Sequence, residues 1–233
     1  MTSSAEHIRI ADEIGRLIAS DDLRTGMKLP TQNALAETYG VNRNTVRRAI
    51  DLLEKRGQVA GRQGSGTYVQ GKLISYQVKS RTKYNDNVKA LDKGSSIELL
   101  ELQNRRAPPE LAKALGLSSG GRIFDLYILR STGKEPLCVA RHHFSADRFP
   151  DIPEVFPLSH GISDLMRRLG TPDFLRSDTA ISARLPTRLE ARLLHIAFDS
   201  PVVVLEGRNI DPTGFPIEIS MSVWPASRIR VQV

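Results

Sequence analysis

Residues Leu29–Gly66 read LPTQNALAETYGVNRNTVRRAIDLLEKRGQVAGRQGSG, and this stretch decides the fold of the N-terminal part of the chain. Its first part predicts a short helix, because Leu35 and Tyr39 are four residues apart and share one helical face. Gly40 follows, and glycine readily adopts the left-handed backbone that ends a helix. A second helical pattern begins directly after it, so the stretch predicts two helices joined by a tight turn.

The second helix has one apolar face and one basic face. Asn42 is placed to cap its N-terminus, and the apolar face has the i, i+3, i+4, i+7 spacing of an amphipathic helix. Positive charge near a helix N-terminus opposes the helix dipole, whereas Arg and Asn suit phosphates and base edges. The pattern is typical of a helix-turn-helix, with a solvated charged face as the alternative. The apolar residues are Val46, Ala49, Ile50 and Leu53, and the basic face comprises Arg43, Asn44, Arg47 and Arg48.

A hairpin is predicted after this helix. Residues 58–60 and 67–69 have the composition of two short strands, and the glycine-rich residues 61–66 join them. A hairpin in this position is a wing. Gly64 and Gly66 would let the backbone approach a phosphate or the minor groove, and Arg62 adds positive charge there.

These motifs resemble the winged-helix domain of the GntR family of bacterial transcription regulators over nearly all of residues 5–70. The matching residues are Leu29-Pro30-Thr31, Leu35-Ala36, Gly40-Val41, Arg43, Thr45-Val46-Arg47, Ala49, Leu52-Leu53-Glu54, Gly57 and Gly64-Ser65-Gly66-Thr67-Tyr68-Val69.

The resemblance implies DNA binding, with one departure. The family usually has Ser-Glu-Arg after Leu-Pro, whereas this chain has Thr31-Gln32-Asn33, and Asn33 lacks the arginine fork. We therefore expect an operator that differs from the commonest type. The predicted DNA-binding residues are Thr31, Asn33, Asn42, Arg43, Asn44, Thr45, Arg47, Arg62, Gly64 and Ser65.

Length and composition suit a two-domain protein with an anionic partner. A chain of 233 residues suits two domains, and its net charge of +7 suits a partner that carries phosphates. The boundaries are predicted at 1–70 for the winged helix-turn-helix, 71–79 for a linker and 80–233 for a second domain. We find no signal-peptide core, long apolar run, metal-ligand spacing or catalytic motif, and Cys138 is the single cysteine. We expect a cytoplasmic protein without a cofactor, a metal or membrane association.

The second half has the pattern of an α+β domain on a largely antiparallel sheet. Predicted strands cover 96–104, 121–130, 136–144, 176–186, 201–211 and 215–224, and residues 228–233 alternate like another strand. Short helices are predicted at 109–115, 162–169 and 187–194. Thr187 and Glu190 have the spacing of a capping box at the start of the last helix.

This half resembles the UTRA effector-binding domain of the HutC subfamily, whose fold is similar to that of chorismate lyase. The resemblance is carried by Glu110–Leu117, Ile128-Leu129-Arg130 to Pro136, Ala191 with Leu194 before Pro201-Val202, and Gly214–Glu218. Three further segments, Arg81–Asn87, Arg148-Phe149-Pro150 and Ile181–Thr187, look like the PhnF-type regulators of phosphonate metabolism. UTRA domains of this kind hold phosphate-bearing or carboxylate effectors.

An anion site needs fixed donors, and arginine forks and hydroxyl groups supply them. His142 and His143 are adjacent on a strand, so they point to opposite faces, and we assign His142 to the site. The alternatives are a hydrogen-bonded structural histidine and exposed strand arginines. The predicted effector-binding residues are Arg81, Thr82, Tyr84, Asn85, Arg130, His142, Arg184, Glu218 and Ser220.

The function predicted from sequence is that of a ligand-responsive repressor of a phosphonate uptake or metabolism operon. A homodimer would bind an inverted-repeat, double-stranded operator, and a small anion would release it. Two alternatives remain open. One is a HutC-type regulator that responds to a sugar phosphate or to a carboxylate such as urocanate. The other is a chorismate lyase-like enzyme.

Overall fold

The computed structural model describes residues 3–20, 22–23, 25–62, 64–70, 74–78, 95–133 and 135–232, with the backbone alone at 3–5, 62 and 95. The chain divides into two units, residues 1–73 and residues 74–233. Among the described residues, no helix is both long and apolar enough to span a bilayer.

The first unit contains helices α1 (Ser3–Ala19), α2 (Gln32–Tyr39) and α3 (Arg43–Lys55). The predicted helix ends are confirmed: Gly40 ends α2 with φ 63°, and the Asn42 side chain accepts a hydrogen bond from the Thr45 N–H. The apolar stripe of α3 packs into a core with α1. This core comprises Ile10, Ala11, Ile14, Leu29, Leu35, Val46, Ala49, Ile50, Leu53, Val59 and Val69.

The wing is an antiparallel hairpin of β1 (Val59–Arg62) and β2 (Gly66–Val69). A segment ahead of α2 extends it on the side of β2. Lys28 lies opposite Tyr68, and the Leu29 N–H donates to the Thr67 carbonyl at 2.8 Å. The carboxylate of Glu54 on α3 accepts from the Gly61 N–H at 2.9 Å, which holds the hairpin against the helix.

The second unit carries eight described strands and short helices. The strands are β3 (Ile74–Gln77), β4 (Ser95–Arg106), β5 (Arg122–Thr132), β6 (Glu135–Ser145), β7 (Leu175–Arg184), β8 (Val202–Ile210), β9 (Pro216–Pro225) and β10 (Ile229–Gln232). The helices are α4 (Pro109–Ala114), α5 (Ile152–Val155) followed by a 3-10 turn (Phe156–Leu158), α6 (Ile162–Arg168) and α7 (Arg188–Leu193). The sequence pattern missed α5 and the 3-10 turn.

Within the described residues, six of these strands form one antiparallel sheet in the order β4-β5-β6-β9-β8-β7. The predicted α+β fold is confirmed. Side chains of directly paired residues share a face of the sheet. We call the face that carries Leu126, His142 and Ser220 face A, and the opposite face, which carries Tyr127, Arg141 and Met221, face B.

Helices and a small second sheet cover parts of both faces. On face A, α5 and α6 pack against an apolar cluster that includes Phe124 and Phe144. On face B, Leu194 after α7 packs against Tyr127 and Val204.

The two-stranded parallel sheet of β3 and β10 also packs on the main sheet. Tyr76 of β3 meets Trp224 of β9 edge to face, with ring centroids 5.5 Å apart. The buried Arg228, just before β10, donates to the carbonyls of Pro136 and Leu194. Residues 74–77, which the sequence analysis assigned to the linker, are therefore a strand of the second unit.

Candidate DNA-binding and effector-binding sites

The first turns of α3 present a row of exposed polar and basic side chains. Arg43, Asn44, Arg47 and Arg48 are all exposed, and the first turn contains no acidic residue. The Arg43 side chain forms one hydrogen bond, in which its Nε donates to the Gln32 side chain at 3.3 Å. Within the described part of the chain, Arg47 and Arg48 form no ion pair. Their guanidinium groups are therefore available to an external anion.

Two of the predicted DNA-binding residues instead hold the start of α3. The Asn42 Oδ1 accepts from the Thr45 N–H at 2.9 Å and from the Thr45 hydroxyl at 3.1 Å. Thr45 is only 2% exposed, so its predicted contact with a phosphate is wrong. Its side chain faces the core because position 45 adjoins the apolar stripe of the helix.

Helix α2 begins with a similar cap. The Thr31 Oγ1 accepts from the Ala34 N–H at 3.2 Å, while Asn33 is exposed in the first turn. Thr31 therefore positions the helix, and Asn33 keeps the exposure that a DNA contact requires.

The wing tip has two glycines with different surroundings. Gly64 has φ 70° and open space where a side chain would be, as a close backbone contact requires. Gly66 has φ 114°, and a Cβ there would lie 2.6 Å from the Cε of Lys28. Ser65 pairs its hydroxyl with that of Tyr68 at 2.6 Å. The Arg62 side chain lies outside the described residues, and the sequence analysis did not identify Lys28.

Face A carries a buried polar cluster in the middle of the sheet. The Glu218 carboxylate accepts from His142 Nδ1 through one oxygen and from the Asn209 amide through the other. Glu218 is 1% exposed, Asn209 4% and His142 8%. Ser220, also buried, pairs with His142 across β6 and β9 and donates to the Gly207 carbonyl at 3.3 Å. Three of the predicted effector-binding residues thus meet on one face.

The charge states of this cluster follow from its hydrogen bonds. Burial raises the pKa of the Glu218 carboxyl, but the hydrogen bond from His142 and nearby positive charge outweigh it, so the net pKa is lowered. Burial lowers the pKa of His142 more than the facing carboxylate raises it. At neutral pH the pair is therefore a carboxylate and a neutral imidazole whose Nδ1–H donates. The His142 Nε2 is buried and has no hydrogen-bond partner among the described residues.

Two arginines belong to the same face. Arg130 is 3% exposed, and its charge acts on the pKa of His142. Arg176, which the sequence analysis did not select, crosses the sheet above Gly207, where a Cβ would lie 2.2 Å from its Nη1. That nitrogen donates to the Thr179 hydroxyl at 3.5 Å, and among the described residues Arg176 forms no ion pair with a carboxylate.

Tyr76 connects strand β3 to this cluster. Burial raises the pKa of the Tyr76 hydroxyl, and the charges of Arg176, Arg130 and Glu218 also act on it. The Tyr76 ring packs on Trp224 and belongs to the apolar cluster that includes Cys138 and Leu205. No sequence signal pointed to Tyr76, because residues 71–79 lack a clear periodicity.

Arg184, which was also predicted to bind the effector, does not join this cluster. It forms two hydrogen bonds of 2.7 Å with Glu190, the N3 residue of the α7 capping box. Its partner across the sheet is Val202, which places Arg184 on face B. The predicted residues Arg81, Thr82, Tyr84 and Asn85 lie outside the described residues.

His143 lies on face B, as strand alternation predicts for the neighbour of His142. Its Nε2 is 3.4 Å from the buried carboxylate of Asp125, which also binds Arg105 and Arg141. His143 therefore lies beside the ion pairs that Asp125 forms with Arg105 and Arg141. Among the described residues, no cluster of His, Cys, Asp or Glu is arranged to hold a metal ion.

Both units are similar to known protein families. The family model for bacterial regulatory proteins of the gntR family matches residues 7–69, and that for the UTRA domain matches residues 90–230. The HTH-type transcriptional regulator RB1450 of Rhizobium meliloti (strain 1021) is 30% identical over 226 residues, 97% of this chain and 93% of its own length. The probable transcriptional regulator PhnF of Escherichia coli (strain K12) is 33% identical over 89% of this chain and 86% of its own. The crystal structure of PhnF from Mycobacterium smegmatis is 26% identical, has a TM-score of 0.67, and covers 96% of this chain and 97% of that chain.

Proposed function

Because the chain belongs to the gntR family of bacterial regulatory proteins and carries a UTRA domain, we propose that it represses genes for phosphonate uptake or metabolism. It is a ligand-responsive DNA-binding transcriptional regulator, and its relatives are regulators rather than enzymes. In the proposal a dimer acts in the cytoplasm, binds an inverted-repeat operator, and leaves the operator when a small anion binds.

The operator is read by the exposed row of α3. Each protomer places this helix in a major groove, where Arg43, Asn44 and Arg47 contact bases and phosphates. Gly64 brings the wing tip to the DNA backbone. Two protomers related by a two-fold axis then read two half-sites of an inverted repeat.

The main support for an anionic effector is the position of the Arg176 guanidinium above Gly207. Glu218 uses its oxygens for His142 and Asn209, and Arg176 donates to a neutral hydroxyl, that of Thr179. A half-buried positive charge is stabilised by an anion, and a phosphonate or phosphate offers several acceptor oxygens to guanidinium forks. The relatives named PhnF support a phosphonate within this class.

Release of DNA requires that the effector favour one arrangement of the protein over another, since equal affinity for both shifts nothing. Tyr76 is suited to report occupancy, because the charges of Arg176, Arg130 and Glu218 act on its hydroxyl and it belongs to β3, which packs on the main sheet. We propose that effector binding changes how β3 packs, and thereby the spacing of the two wings.

Fluorescence anisotropy tests the proposal directly. A labelled duplex of the DNA upstream of the chain's own gene is titrated with protein at fixed salt. The titration is then repeated with methylphosphonate, 2-aminoethylphosphonate, inorganic phosphate, glucose 6-phosphate and urocanate. We expect specific binding and release by a phosphonate or by phosphate. Release by the sugar phosphate or by urocanate alone would replace the phosphonate assignment, and a lack of sequence preference would overturn the operator reading.

A further inference from the structure

Lys28 is built into the wing although it lies far from the hairpin in sequence. The segment before α2 runs along β2 and pairs with it through an isolated bridge. The Gly26 N–H donates to the Val69 carbonyl at 2.9 Å, and the Leu29 N–H donates to Thr67 at 2.8 Å. Lys28 lies between these bonds, opposite Tyr68. Its backbone is therefore fixed relative to the wing, which gives its side chain a defined starting point.

The side chain of Lys28 then crosses the strand at Gly66. A Cβ on Gly66 would lie 2.6 Å from Cε, 3.4 Å from Nζ and 3.7 Å from Cδ of Lys28. Real Cβ atoms do not approach other atoms as closely as 2.6 Å, so the missing side chain of Gly66 provides the path of the lysine. The sequence analysis had explained Gly66 by a close approach of DNA. The structure adds two further reasons for glycine here, which are its φ of 114° and the room that the absent Cβ leaves for the Lys28 stem.

The charge at the end of this side chain has no acidic partner in the described part of the chain. Lys28 is exposed, and it reaches the strand one residue after the Gly64-Ser65 tip. A single lysine on the surface is ordinarily mobile, because its stem has four rotatable carbons. Here the stem is seated along backbone, so less conformational entropy is lost when the ammonium group binds an anion.

We propose that Lys28 is a phosphate-binding residue of the wing, and that it contacts the DNA backbone next to the groove entered by the tip. The inference uses the DNA binding of the family and does not depend on the effector or on the operator sequence. A lysine acts on phosphate as a point charge and carries no base information. Its contribution should therefore be equal on specific and nonspecific DNA.

The salt dependence of binding tests this role. Each phosphate contact contributes about 0.9 to the steepness of log K against log salt, which corresponds to about eight-fold in affinity for each tenfold change in salt concentration. We expect Lys28→Met, which keeps an unbranched stem, to make the slope less steep by about 1. The change should be the same on the upstream duplex and on a scrambled duplex of equal length. Lys113→Ala removes an exposed lysine from α4 of the other unit and should leave the slope unchanged.

Two further variants separate charge from packing. Lys28→Arg should retain the slope, because it keeps the charge. Gly66→Ala should lower the slope while Lys28 is still present, since a Cβ displaces the stem. Circular dichroism and thermal unfolding confirm that each variant is folded. A wild-type slope for Lys28→Met would overturn the proposal. If Lys28→Ala changed the slope and Lys28→Met did not, the effect would come from packing of the stem and not from the charge.

Discussion

Gly207→Ala tests whether Arg176 holds the effector, because it moves the guanidinium without altering any charge. A Cβ on Gly207 would lie 2.2 Å from Nη1 and 2.8 Å from Cζ of Arg176. Ordinary contacts between heavy atoms are about 3.5–4.0 Å. The guanidinium must therefore move by more than about 1 Å, away from the middle of face A.

The expected loss is that of one charged hydrogen bond. Such bonds contribute about 1.5–3 kcal/mol, which corresponds to about 10- to 150-fold in effector affinity. The stability of the fold should change little, since the displaced atoms are the flexible end of an arginine. Alanine is also favoured over glycine in a strand by about 0.5–1 kcal/mol, and Gly207 does not have a positive φ.

Isothermal titration calorimetry with methylphosphonate and 2-aminoethylphosphonate measures this loss, and thermal unfolding measures stability. Arg208→Gln is the matched control. It removes the arginine that follows Gly207 on β8, and this side chain pairs with Asp178. The variant should therefore bind the phosphonates as tightly as wild type. Arg176→Gln should weaken binding at least as much as Gly207→Ala, and the double variant should be no weaker than Arg176→Gln alone.

Wild-type affinity for Gly207→Ala together with a loss for Arg176→Gln would show that the position over Gly207 is not the binding position. Wild-type affinity for both variants would remove Arg176 from the effector site and with it the main support for an anion there.

Three further predictions concern DNA binding and stability. Arg47→Ala should weaken operator binding by about 1–3 kcal/mol in anisotropy at fixed salt, and an unchanged Kd would reject Arg47 as a contact. Thr45→Ala should lower the free energy of unfolding by about 1 kcal/mol, because it removes a buried hydrogen bond, while the folded variant keeps wild-type operator affinity. The pKa values of His142 and Glu218 are both lowered by folding. Stability should therefore be lost as pH falls, first below the ordinary value of 6.5 for histidine and then as Glu218 is protonated. Urea unfolding between pH 5 and pH 8 should show the part of the loss that comes from His142, and His142→Gln should remove that part. An equally steep pH dependence in that variant would mean that another group titrates.

The N-terminal unit was predictable from sequence because its determinants are local. Caps such as Asn42, the stripe through Val46 and Leu53, and the glycine at position 40 act within one or two helical turns. The structure follows these signals closely. Thr45 was misassigned because a cap residue and a phosphate contact use the same residue types at a helix N-terminus. Lys28 was missed because the contact to Gly66 depends on a strand pairing across most of the unit.

In the second unit, too, some features were predictable from sequence and others were not. Alternation along a strand placed His142 and His143 on opposite faces, which the structure confirms, because a two-residue period needs no tertiary information. The arginines of β7 did not follow from alternation. Arg176 and Arg184 are eight residues apart, so an unbroken strand would place both on one face. A β-bulge between Arg176 and Asp178 adds a residue and shifts the phase, so Arg176 joins Glu218 on face A and Arg184 pairs with Glu190 on face B. The sequence alone determined which residues were candidates for the site. The pairing of β7 with β8 decided which arginine reaches it, because a one-residue shift in register exchanges the two faces of a strand.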